Sequence, residues 1–108
     1  MNIRFHEKLY IDDISDKQLV SIKKKIQRKS PKLNLYLITL PVGNQGILEV
    51  YWYPELLQYF YQKMYTEIIV VGLAGSREEA FNIIRKIVIE IGLQENKISV
   101  DEFFKESK

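Results

Sequence analysis

No cysteine occurs in this 108-residue chain, which removes disulfides, thiolate metal ligands, thiol nucleophiles and thiol redox switching together and suits a reducing compartment. Histidine is nearly as scarce. His6 stands alone, so a histidine cluster around a metal is excluded by count. No apolar run approaches the ~18 residues that a membrane-spanning helix needs, and the first eight residues carry Arg4, His6, Glu7 and Lys8 where a signal peptide would be apolar. With only three prolines and five glycines, no stretch has the composition of a linker; the densest turn cluster, from Pro41 to Gly46, is too short to be one. Net charge is also close to absent. Sixteen basic against fourteen acidic side chains leave +2, far from the balance of a dedicated nucleic-acid binder. These absences predict one domain spanning residues 1–108, in the cytoplasm, without a membrane segment and without a resident cofactor.

What is present is a succession of short periodic segments. Ile3, Phe5, Leu9 and Ile11 alternate with Arg4, His6 and Lys8, the period-two pattern of a half-buried strand that places His6 on the polar side. Ser15 and Gln18 have capping-box spacing, so a helix is predicted to open there, bury Leu19, Ile22 and Ile26, and stop at Ser30-Pro31. Leu33 to Leu40 is apolar almost throughout and reads as a strand covered on both faces. The cluster Pro41, Gly43, Asn44 and Gly46 predicts a turn, and Ile47 to Trp52 the returning strand of a hairpin. Pro54 suits a helix's first turn, after which Leu56, Leu57, Phe60 and Met64 share one face.

Glu67 to Leu73 holds the β-branched run Ile68-Ile69-Val70-Val71 and reads as a buried strand. Ser76 and Glu79 form a second capping box, opening a helix with Ala80, Ile84, Ile87 and Ile91 along one face, Ile83 and Ile89 outside that stripe, and Gly92 at its stop. Ser99 with Glu102 predicts a last short helix carrying Phe103 and Phe104. The order fits an α+β domain of the ferredoxin-like βαββαβ type, a two-layer sandwich with an antiparallel sheet, helices on one face and an additional C-terminal helix.

Three groups of residues could carry function. The first is aromatic density from Tyr51 to Tyr65. Phe60 belongs to a helix face, but Tyr59 and Tyr65 project away from it at 100° per residue. Tyrosine and tryptophan are enriched where protein surfaces meet, so Tyr53, Tyr59, Tyr61 and Tyr65, with Ile89, are the candidate protein interface. The second is the basic run Lys23, Lys24, Lys25, Arg28, Lys29 and Lys32, whose cations could meet phosphates. Leu9-Tyr10-Ile11-Asp12-Asp13-Ile14 resembles the first strand of RNA-recognition motifs, whose aromatics stack on bases, but the Gly-aromatic pattern of their second RNA-reading strand is missing. The third is Gly72-Leu73-Ala74-Gly75-Ser76, a strand-to-helix turn where backbone N–H groups can receive an anion. It lacks the P-loop lysine and the three-glycine dinucleotide spacing. Gly72, Gly75 and Ser76, near Trp52, are the candidate small-ligand turn, although Glu78 and Glu79 would repel an anion there.

Lys8-Leu9-Tyr10, Leu35-Tyr36-Leu37-Ile38-Thr39-Leu40-Pro41, Leu48-Glu49-Val50-Tyr51 and Val70-Val71-Gly72-Leu73-Ala74 together resemble a family of small uncharacterised bacterial proteins. The resemblance spans nearly the whole chain. It implies one intact domain and carries over no activity and no site. The sequence therefore favours a non-catalytic protein-interaction or self-associating module, a homodimer in the simplest case or a partner of another protein. RNA binding and small-ligand binding are the alternatives.

Overall fold

The computed structural model describes residues 2–12, 14–41, 48–64, 66–93 and 100–104. In chain order they form β1 (Asn2–Ile11), α1 (Asp16–Gln27), β2 (Tyr36–Thr39), β3 (Glu49–Trp52), α2 (Tyr53–Leu56), α3 (Tyr59–Met64), β4 (Glu67–Ala74), α4 (Arg77–Gly92) and α5 (Val100–Phe103). The strands join in one sheet ordered β1-β4-β2-β3.

The α+β class holds, but the sheet differs from the ferredoxin-like expectation in two ways. It is mixed: β1 runs parallel to β4, while β2 is antiparallel to both β4 and β3. Helices also cover both faces. On one side Ile26, Tyr53 and Leu56 pack on Leu35, Leu37, Ile68, Val70 and Leu73. On the other Ala80, Ile83, Ile87 and Phe104 pack on Ile38, Val71 and Ala74. The cause lies in β4, whose Ile68, Val70, Val71, Leu73 and Ala74 are all buried. A strand apolar on both sides belongs inside a sheet with cover above and below, and β4 takes that central position.

Two irregularities fit the strands to their two cores. Along β4 the pairing with β2 passes from Gly72 opposite Ile38 to Val70 opposite Thr39, so Val71 is an extra residue, a β-bulge. It switches the alternation: Ile68 and Val70 face α1 and α2, whereas Val71 and Ala74 face α4. Along β1 the pairing jumps from Phe5 opposite Val70 to Tyr10 opposite Gly72. His6 lies in that jump and is buried, not on a polar surface as its alternation predicts. Its Nδ1 accepts the Lys8 N–H at 2.9 Å, which places the ring proton on Nε2. Nε2 then donates to the Phe104 carbonyl at 2.6 Å, and the two rings meet edge to face at 5.3 Å. This contact ties the end of α5 to β1 across the sequence.

Local signals set the helix ends. Ser15 Oγ accepts the Gln18 N–H at 3.2 Å while Gln18 Oε1 accepts the Ser15 N–H at 2.9 Å, the reciprocal pair that the spacing predicts. At the other end of α1, Lys29 N–H donates to the Ile26 carbonyl and Ser30 N–H to the Lys25 carbonyl, both at 3.0 Å. These are the two bonds of a Schellman stop. Lys29 supplies its left-handed residue at φ 55°, a conformation costing an L-residue about 1–2 kcal/mol. The single helix expected after Pro54 is instead two, α2 and α3, separated at Leu57 and Gln58. That break resets the helical phase, so Leu56 is buried and Met64 exposed.

Candidate functional site

The tyrosines expected to form one surface are dispersed. Tyr53 is wholly buried; its N–H donates to the Leu35 carbonyl at 2.8 Å and its hydroxyl to the Ile26 carbonyl at 3.3 Å. Its place in an interface is corrected to a place in the core. As the first residue of α2, directly after β3, it enters where the chain turns beneath α1. Tyr61 is half-buried, donates to Glu55 Oε1 at 2.7 Å and meets the Tyr51 ring edge to face at 5.9 Å. Tyr51 in turn donates to Glu49 Oε2 at 2.6 Å, which gives that strand carboxylate its partner. Tyr59 is exposed, with Lys63 Nζ 5.4 Å from its ring centre. Tyr65 lies outside the described residues. Ile89 is exposed on α4, as expected.

The basic run is exposed except at its first residue. Lys23 is half-buried with Nζ 5.3 Å from the centre of the Phe5 ring. Lys24, Lys25, Arg28, Lys29 and Lys32 are exposed, and Lys29 Nζ donates to Gln62 Oε1 at 3.2 Å. Tyr10, on the strand that resembles an RNA-recognition motif, is engaged within the chain. Tyr10 packs edge to face on Phe104 at 6.2 Å, and its hydroxyl donates a hydrogen bond to Glu90 Oε2.

The glycine turn is likewise engaged within the chain. Gly72 is not in the turn at all but is buried inside β4. Gly75 N–H donates to Glu79 Oε2 at 3.0 Å, and Ser76 Oγ accepts the Glu79 N–H at 3.1 Å. Glu79 thus reaches one residue further back than a standard capping box would predict, and it occupies a donor that an anion would need. Trp52 Nε1 donates to Asn34 Oδ1 at 2.9 Å. Among the described residues no group of three or more histidine, aspartate or glutamate side chains is placed to hold a metal ion.

The Tyr10 and Glu90 contact has a titratable consequence. Burial first, and the Glu90 carboxylate second, push the Tyr10 pKa well above its ordinary 10.0; burial raises Tyr53 too. Both phenols hold their protons longer in the fold than in the unfolded chain. The stability they contribute is complete below the unfolded value and is lost as pH rises beyond it. An alkaline titration followed by phenolate absorbance and far-ultraviolet circular dichroism is expected to end in a phenolate step that coincides with loss of structure. Complete ionisation of all seven tyrosines with the dichroism intact would contradict these placements.

The feature that stands out is one that the sequence indicated only through Ile89. In α4, Ala80, Ile83 and Ile87 face the sheet, yet Phe81, Val88 and Ile89 are each more than half exposed, and Leu93 just beyond the helix more so. From Ile87 to Leu93 the chain reads Ile-Val-Ile-Glu-Ile-Gly-Leu. Its one charged member, Glu90, faces inward to Tyr10. Apolar side chains grouped on the outer side of a helix mark a place of contact. The signal was available: once the core stripe is assigned to positions 80, 83 and 87, the 100° step sends Phe81, Val88 and Ile89 outward. Among the described residues no helix is long and apolar enough to cross a membrane. No family model, no curated protein and no solved structure matches this chain.

Proposed function

We propose that this chain is a non-catalytic protein-contact module that docks through the outer face of α4, and that its cysteine-free composition suits the cytoplasm. One observation carries the reading: at the C-terminal end of α4, Val88, Ile89 and Leu93 are large apolar side chains turned to solvent. Contiguous apolar surface of this kind marks sites of contact. Of the tyrosine stretch, Tyr53 belongs to the core, Tyr51 and Tyr61 pack on each other, and Tyr59 remains exposed.

The double substitution Val88→Lys with Ile89→Lys tests whether the face is free. Lysine is a better helix former than either residue, and a surface change that touches no internal contact stays within about 0.5 kcal/mol. Melting of the dilute protein is therefore expected to be unchanged, while association through this face is lost. A drop of about 2 kcal/mol or more in the dilute chain would show that the protein covers the face itself, and the reading would fail.

A further inference from the structure

We infer that the occupant of this face is a second copy of the chain, its α4 lying antiparallel to the first about a two-fold axis between Val88 and Ile89. This rests on the contact reading above. Helix α4 begins with Glu78 and Glu79 but carries no basic residue in its last turn, so its negative C-terminal end has no compensating cation of its own. Arg85 and Gly92 are seven residues apart and lie on one line of the helix, flanked by Val88 on one side and Ile89 on the other. An antiparallel copy centred between those two apolar residues sets Arg85 opposite the copy's Gly92. The two-fold axis repeats the contact, so each guanidinium reaches the last-turn carbonyls of the other helix.

The glycine supplies the room. Among the described residues nothing lies within 4 Å of where a Cβ on Gly92 would stand, so the helices can approach most closely where the arginine crosses. Val88 and Ile89 then meet their counterparts on either side of that line, the self-complementary pattern that a two-fold interface requires. A parallel copy would place the two negative helix ends together and leave each Arg85 beside the other.

Because the chain has no cysteine, a single introduced thiol reports on this geometry without interference. In sedimentation equilibrium the wild-type protein is expected to be a dimer at micromolar concentration. Val88→Cys is expected to form a disulfide-linked dimer under mild oxidation, since the pairing brings the two copies of residue 88 within disulfide reach, about 7 Å between Cα atoms. Lys24→Cys, on exposed α1, is expected to remain unlinked. Arg85→Glu should weaken the dimer about tenfold or more with melting of the dilute chain unchanged.

A dimer that Val88→Cys fails to link, or that Lys24→Cys links as readily, overturns this arrangement. So does a strict monomer, including one that floats with phosphatidylcholine–phosphatidylglycerol vesicles. If the monomer's melting is also indifferent to Val88→Lys with Ile89→Lys, the contact reading survives with another occupant. If that double substitution destabilises the dilute chain, both fail together.

Discussion

Truncating Tyr53 to alanine is expected to cost about 3–5 kcal/mol, the range for deleting a buried aromatic side chain. Against a total of about 5–15 kcal/mol for an ordinary domain, that brings the fold close to its limit. Three features place the loss at the upper part of the range. The ring has no exposure and belongs to the cluster of Ile26, Leu35, Leu37 and Leu56, so it touches α1, β2 and α2 together. It also borders a cavity of about 140 Å³ shared with Ile3, Ile26 and Leu57. Deleting the ring enlarges that space instead of leaving a gap its neighbours can close, and the cost rises with the residual volume. Finally, the residue begins α2 directly after the last residue of β3, so relaxation there disturbs both.

Tyr53→Phe separates packing from hydrogen bonding. The hydroxyl reaches the Ile26 carbonyl only at 3.3 Å, at the long end for such a bond, so its loss should fall near the lower limit of the usual 0.5–1.5 kcal/mol, about 0.5. Urea unfolding measures both variants. An alanine cost below about 1.5 kcal/mol would mean that the ring does not occupy the core.

Tyr53 also shows where sequence reasoning stops. Contacts between residues three or four apart were legible, and the capping pairs Ser15 with Gln18 and Ser76 with Glu79 are formed. The pairing of the two middle strands was legible, and β2 pairs β3 from Tyr36 opposite Trp52 to Thr39 opposite Glu49, while the turn cluster expected between them, from Gly43 to Gly46, lies outside the described residues. What failed depends on phase carried across an interruption. A continuous helix after Pro54 predicts that Met64 is inside, but the break at Leu57 and Gln58 turns it out. An uninterrupted β1 leaves His6 on the surface, but the jump after Phe5 turns it in. The sheet order depends on β1 meeting β4 from opposite ends of the chain, and alternation within either strand does not encode that partner. The outer face of α4 sits between these cases: its period is unbroken, so it could be read, but only after deciding which stripe the sheet takes.

Gly72→Val is expected to destabilise the protein by about 1–3 kcal/mol, the usual cost of overpacking, although valine is the better strand residue by up to about 1 kcal/mol. A Cβ at position 72 would lie 3.1 Å from both Ile38 Cδ1 and Ile83 Cγ2, and 3.2 Å from Ile38 Cβ. Ile38 Cδ1 is the end of a side chain and can turn away, whereas Ile83 Cγ2 is a branch methyl held by a stiff χ1 and gives only as α4 gives. The third is a branch point on the neighbouring strand, held by the pairing of Ile38 with Gly72. Alanine can therefore be accommodated at small cost, whereas valine adds two further methyl groups in the gap between β4 and α4. Relief should come from the helix side: Gly72→Val combined with Ile83→Ala should cost measurably less than the sum of the two single changes, a coupling that contact between the sites requires. Strict additivity, or a stabilising Gly72→Val, would refute the close approach. The glycine that in sequence belongs to a ligand turn is then accounted for by packing, since a side chain there would push away the helix whose far side forms the proposed interface.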